Sequence, residues 1–407
     1  MDAPRRFWHN AADSMKPGAL KKVLSLVLRL AVSAGLIAYV IHIIPFLDVV
    51  PRVGQEPLRG RVVSETPQAL TVLVEDKDDK TQVVPVEQIE ERPDKPLYDK
   101  GFLHIVREIR LGVYLPTLLL ILAVILIDVV RWKVLLRVQG IDLAYGPALA
   151  LTYGGIFCNS FMLGSTGGDV IKAVLVARHT SRKARAVLTV FLDRVIGLVA
   201  LIIVAGAVIP FEIDRVEVRR LAWGVYGFLA AFLAGCLVYF HPAFRASRLF
   251  RWLMARLHLK VFHELDAAFY AYRGQPRALA IAFGISFVAH MCGIFAIVGF
   301  GKALGITEAS IAHYFVFFPI IAVISSIPIS ISGWGVGEAA FIALFGAVGV
   351  TEPAAVSLSI LSRLSTLLVG LPGGLVFLLG IEDLKVKESE VAEVERAEEG
   401  GDGPSAG

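Results

Sequence analysis

Asn159-Ser160-Phe161-Met162-Leu163-Gly164-Ser165-Thr166-Gly167-Gly168-Asp169-Val170-Ile171-Lys172 lies inside a strongly apolar chain, yet it carries six polar or ionisable side chains and three glycines. A lipid-facing span cannot have this composition. In hydrocarbon every backbone polar group must be satisfied internally, so a glycine-broken polar segment persists only where protein or water surrounds it. Ionisable residues at membrane depth are costly and mark functional positions.

The surrounding chain sets that depth. Of its 407 residues 56% are hydrophobic and 19% charged, against about a quarter charged in soluble domains. Mean hydropathy is +0.68. Several apolar runs reach roughly 20 residues, the length that crosses a bilayer core. The class is an all-α polytopic membrane protein. The net charge of +4 averages over unequal regions and decides nothing. Cys158, Cys236 and Cys292 lie in apolar segments without Cys-x-x-Cys or Cys/His spacing, so they read as small fillers and no metal site is expected. No nucleotide-binding loop appears, and no cofactor is expected.

Taken in order, residues 1–46 are a basic N-terminus and a first span, Val23 to Phe46, too long for a cleaved signal peptide. Residues 47–100 turn polar. Leu58–Ser64, Ala69–Glu75 and Thr81–Val86 alternate and are parted by polar turns, which predicts a small extracytoplasmic β-domain, SH3-like, or else an ordered loop with one hairpin. Residues 101–381 form the membrane domain, and 382–407 a disordered acidic tail. Full spans are read at Leu111–Leu136, Ala186–Ile209, Leu221–Phe240, Ala278–Phe300 and Ala354–Leu379, which with the first makes about six. The basic, aromatic stretch 241–277 reads as a cytoplasmic amphipathic helix on anionic headgroups rather than a nucleic-acid surface.

Basic residues flank the opening stretch on both sides: Arg131, Lys133 and Arg137 before it, and Arg178, Arg182, Lys183 and Arg185 after it. By the positive-inside rule both flanks are cytoplasmic, so the segment enters and returns on one side. A second glycine-broken segment, Ile329 to Glu338, carries Gly333, Gly335 and Gly337 and is reached from the opposite side by Ile311–Pro328. Two such interruptions in corresponding positions of two halves predict re-entrant broken helices in an inverted-repeat arrangement around a shared site. The N-termini of the helices after the breaks can face an anionic group. Asp169 and Glu338 fall in those first turns, either as caps or in a substrate or proton role. Lys172, Arg194 and Arg363 are the cationic candidates. Each has a structural alternative: Lys172 snorkelling to the interface, Arg194 pairing with Asp193 or the headgroups, and Arg363 bridging to Glu338 or Asp169. Asp128 and Arg131 read as an interfacial ion pair beside a belt residue, Trp132, or as substrate contacts, and His290 as a satisfied core histidine.

Asn159 to Ala173, Phe191-Leu-Asp-Arg-Val-Ile-Gly197 and Pro328 to Glu338 together resemble the lysylphosphatidylglycerol synthase transmembrane region, the flippase-like membrane family, over about residues 20–50 and 100–380. Asn159, Gly164, Gly168, Asp169, Lys172, Asp193, Arg194, Gly333, Gly335, Gly337 and Glu338 match its recurrent polar and glycine positions. The resemblance implies lipid handling, with flipping of an aminoacylated phospholipid in the best-understood relatives and polyprenyl-phosphate sugar metabolism in others. Only a short tail follows Leu379, so the soluble aminoacyltransferase domain is not expected here, and the β insert departs from the family pattern.

The reading is a lipid translocase or carrier in an inner membrane, with both termini cytoplasmic. Its partners are membrane lipids, with an envelope protein on the β insert as a further one. Asn159, Asp169, Lys172, Arg194, Glu338 and Arg363 would bind a phospholipid or polyprenyl-phosphate lipid, in a cleft whose backbone includes Gly164, Gly167, Gly168, Gly333, Gly335 and Gly337. The alternative is an intramembrane transferase or hydrolase using Asp169, Glu338 or His290, or an accessory subunit of lipid or polyprenyl-glycan metabolism. A third is a scaffold that binds an envelope partner through the β insert.

Overall fold

The computed structural model describes residues 46–74, 81–89, 97, 98, 100–160, 167–178, 180–212, 216–248, 250–252, 266, 268–270, 272–327, 330, 332–374 and 386–388. The first span expected at Val23–Phe46, apart from Phe46, lies outside them, as do Gly164 and much of 241–277.

The insert is a four-stranded antiparallel meander, β1 (Asp48–Val50), β2 (Leu58–Glu65), β3 (Ala69–Val74) and β4 (Thr81–Pro85), paired in sequence order. It is more than a single hairpin, and β1 is a strand the sequence pattern did not reveal. Alternation along β2 sends Leu58 and Val62 inward and Arg59 and Arg61 outward. The inward set joins Val50, Leu70, Val72 and Val84 in a small separate core. Buried Asp48 ties the sheet to the first helix after it. Its carboxylate accepts from the backbone N–H of Val62 at 2.8 Å and of Gly101 at 2.7 Å, and lies 2.9 Å from His104 Nδ1.

His104 sits on that short helix, α1 (Phe102–Arg107), which leads into α2 (Leu111–Val138). After β5 (Ile141–Leu143) come α3 (Tyr145–Asn159), α4 (Gly167–Arg178), α5 (Lys183–Val208) and α6 (Val216–Phe240). A helical turn at Pro242–Arg245 precedes α7 (Pro276–Ala303), α8 (Ile311–Ser326), α9 (Val336–Gly346) and α10 (Glu352–Gly370), and β6 (Val386–Glu388) pairs antiparallel with β5. Of the expected disordered tail, 386–388 is the described part, and it forms this strand.

Five of these helices, α2, α5 (with the turn to Phe211), α6, α7 and α10, are long and apolar enough to cross a membrane. Their outward faces carry Leu115, Leu119, Trp223, Leu233 and Leu237, all exposed. A soluble protein would bury such residues; a bilayer solvates them. The chain is a multi-pass membrane protein. Of the five, α5 is the most buried span and α6 the least.

Contacts give the bundle two ends. At the sheet end, the Arg110 N–H donates to Ala303 O at 2.9 Å, so α7 runs antiparallel to α2. At the basic end, Tyr272 Oη donates to Leu135 O at 2.9 Å and Gln139 Nε2 to Ala268 O at 2.9 Å. Helices α3 and α4 form a hairpin rooted at the basic end, where Ala148, Leu151, Ala173 and Val176 share a core with Leu136, Ile141 and Leu143. Helices α8 and α9 form a second hairpin rooted at the sheet end. There Phe345, late in α9, packs on Tyr314 and Phe317, early in α8, at ring separations of 5.1 and 5.5 Å. The described order is therefore span, hairpin, span from α2 to α5, and again span, hairpin, span from α7 to α10, with the second set running the opposite way. A capping box at Ser310, whose N–H donates to His313 Nδ1 at 3.1 Å, starts the second hairpin.

Candidate functional site

The tips of the two hairpins and the middles of α2, α5, α7 and α10 surround one cavity of about 520 Å³. The first tip is tight. A Cβ on Gly168 would stand 1.8 Å from Gly155 O, so α4 lies directly on α3 and only glycine allows it. Asn159, at the end of α3, accepts the Gly168 N–H on Oδ1 at 2.6 Å and so satisfies one of the unpaired donors at the start of α4.

Consecutive residues on a helix point about 100° apart, and α5 uses this to divide its two charges. Asp193 faces α2, where Arg131 donates to it through Nε at 2.7 Å and Nη2 at 3.2 Å. Arg131 Nη1 also reaches Asp128 at 3.2 Å and Ser286 Oγ at 3.1 Å. Arg194 faces α4 and pairs with Asp169, its Nε lying 2.9 Å from Oδ2. So Arg194 pairs with Asp169 rather than with its chain neighbour Asp193. Trp132 is not a belt residue: it is fully buried, with Lys172 Nζ 3.7 Å above its ring. Lys172 is 5% exposed and does not snorkel.

At the second tip, Arg363 on α10 holds the break in place. Its Nε lies 2.8 Å from Glu338 Oε1, and Nη1 and Nη2 donate to Ser332 O at 2.7 Å and Gly333 O at 2.9 Å. Glu338, 1% exposed, accepts the Gly335 N–H at 2.6 Å and Ser359 Oγ–H at 3.0 Å. Gly335 takes φ +81° and Gly333 φ +73°, the left-handed turn from which α9 starts. Glu338 makes the capping contact, and Arg363 makes its bridge to Glu338 rather than to Asp169.

Asn159, Asp169, Lys172, Arg194 and Arg363 line the cavity. Glu338 stands behind Arg363, and among the described residues Gly167, Gly168, Gly333, Gly335 and Gly337 shape the tips without lining the space. Asp128, Arg131, Asp193 and His290 also line it; the sequence reading offered Asp128, Arg131 and His290 only in its alternatives and left Asp193 out of the binding set. The available signal was complementarity: an acidic and a basic residue, each deep in a different apolar run. His290 Nε2 lies 2.7 Å from Gly197 O. The remaining wall is mainly apolar, with Ile125, Leu201, Ile297, Phe318 and Phe341, interspersed with hydroxyls such as Thr152, Ser325 and Ser362. A charged patch beside an apolar wall suits an amphiphile with a polar head.

A family model described as Lysylphosphatidylglycerol synthase TM region matches residues 100–374. No curated protein and no solved structure matches the chain.

Proposed function

The chain belongs to the lysylphosphatidylglycerol synthase TM-region family, and on that premise we propose that it binds a phospholipid or polyprenyl-phosphate lipid in the central cavity and moves it between the leaflets of an inner membrane. Both termini lie on the cytoplasmic side. The α3–α4 and α8–α9 hairpins are re-entrant segments of an inverted repeat. One observation carries the reading: a single cavity of about 520 Å³ is lined by the tips of two hairpins rooted at opposite ends of the bundle. This arrangement suits alternating access, in which one repeat rocks or gates against the other around a fixed site. The β-sheet at the far end is the docking element for an envelope partner.

Vesicles reconstituted with the full chain and fluorescently labelled phosphatidylglycerol test the transport step. A membrane-impermeant quencher added outside reaches the whole label pool in vesicles containing wild-type protein. Arg363→Ala and Glu338→Ala slow that approach. Indistinguishable traces from wild-type, variant and protein-free vesicles would overturn the proposal. Mass spectra of the lipids before and after incubation show unchanged species if transport is the activity, and new species if the protein is a transferase or hydrolase.

A further inference from the structure

The cavity's charges are not used evenly. Four cations lie in or on its wall, Arg131, Lys172, Arg194 and Arg363. The three guanidiniums take up the carboxylates at contact distance: Arg131 holds Asp128 and Asp193, Arg194 holds Asp169, and Arg363 holds Glu338. Arg363 is further committed to two backbone carbonyls, and Arg131 to Ser286. Lys172 is different. It is 5% exposed and lines the cavity, yet among the described residues its ammonium has no carboxylate within 4 Å and no hydrogen-bond acceptor. Among the described residues its ammonium rests on the face of Trp132.

A buried ammonium loses much of its hydration, and a ring face returns only part of that. Three N–H donors are left for whatever occupies the cavity. Arg131 and Arg363 cannot turn to a ligand without leaving Asp193 or Glu338 buried and uncompensated, and Arg194, in a more exposed pair, is held by Asp169. Lys172 can swing its nitrogen off the Trp132 ring at far smaller cost, because a flexible four-carbon stem carries it.

We propose that Lys172 is the specificity-determining residue of the cavity, the group that recognises the phosphate oxyanion of a lipid headgroup, while the three arginines hold the hairpins and spans around it. The proposal rests on the lipid-binding reading above and narrows it: a phosphate ester is required, and one residue reads it. Trp132 serves as the resting place of the ammonium when no oxyanion is bound.

Thermal unfolding of the full chain in an uncharged maltoside detergent measures this, since a ligand of the folded state raises the melting temperature with the logarithm of its concentration over Kd. The probes are dihexanoylphosphatidylglycerol, dihexanoylglycerol with the same chains and no phosphate, and glycerol phosphate with no chains. Wild type binds the phospholipid about tenfold or more tighter than the diacylglycerol, the ratio one charge-assisted hydrogen bond supplies. Lys172→Met removes that preference and keeps the diacylglycerol response, which also reports that the variant is folded. Lys172→Arg restores the preference. Protection by the phospholipid alone identifies a lipid phosphate; equal protection by glycerol phosphate identifies a free phosphate ester on the same ammonium. A wild-type protein without the preference, or a Lys172→Met variant that keeps it, overturns the proposal. The two readings fail separately: a Lys172-dependent preference in a protein that translocates nothing leaves this site standing and removes transport. Translocation with the preference unchanged in Lys172→Met does the reverse.

Discussion

Arg363 Nε lies 2.8 Å from Glu338 Oε1, and the same guanidinium holds the carbonyls of Ser332 and Gly333. One side chain from α10 thereby binds both the turn before α9 and the acid that caps it. Removing one partner of a buried pair strands the other, so Arg363→Met should lower stability by about 3–5 kcal/mol. Arg363→Met combined with Glu338→Gln should recover part of the loss, because no uncompensated charge remains. Chemical unfolding of the four proteins in detergent measures the coupling, and strict additivity would show the pair to be uncoupled.

Arg131 and Asp193 form the equivalent fastening between α2 and α5. Arg131→Lys keeps the charge and loses the forked geometry. It should cost about 1.5–3 kcal/mol, the range for hydrogen bonds to charged groups. The loss should shrink in an Asp193→Asn background, leaving the share due to Asp128 and Ser286, which a double-mutant cycle reads directly.

The first hairpin tip depends on Gly168. Gly168→Ala drives its methyl into Gly155 O and should cost about 1–3 kcal/mol through forced separation of α3 and α4. Gly112 in α2 has open space around its α-carbon, so Gly112→Ala should be neutral or stabilising by up to about 1 kcal/mol. Equal melting temperatures for the two variants would remove the close-contact argument.

Outside the spans, Glu108 is positioned to give a pH dependence. Burial pushes its carboxyl up, but the hydrogen bond from Lys100 and the nearby His104 outweigh this and hold it below its ordinary value of 4.5. A depressed folded-state value means the contribution is present above the unfolded value and is lost as pH falls through the folded one. Glu108→Gln should therefore melt slightly lower than wild type at pH 7, with the two curves converging below about pH 4. The residue is exposed, so the difference is small.

The sequence revealed most of the helices because a bilayer requires long apolar runs: α2, expected at Leu111–Leu136, is Leu111–Val138. The two breaks were visible because glycines and charges are rare at that depth. Partner choice was not visible. Arg194 and Asp193 are neighbours in the chain, and the helix turns them to different helices, so adjacency suggested the wrong pair. Trp132 sits among basic residues at a span end, a belt-like setting, but α4 folds over it and buries it. Strand β1 has three residues and no room for an alternation signal.

The pairing of β6 with β5 joins Lys387 to Asp142 across a ladder. Main-chain hydrogen bonds thus close the chain from 141 to 388 into a ring with both hairpins inside it. The root of α3 is thereby held by strand β6 as well as by its own neighbours in the chain. A pair of labels at Asp142 and Lys387 would report whether that ladder stays closed.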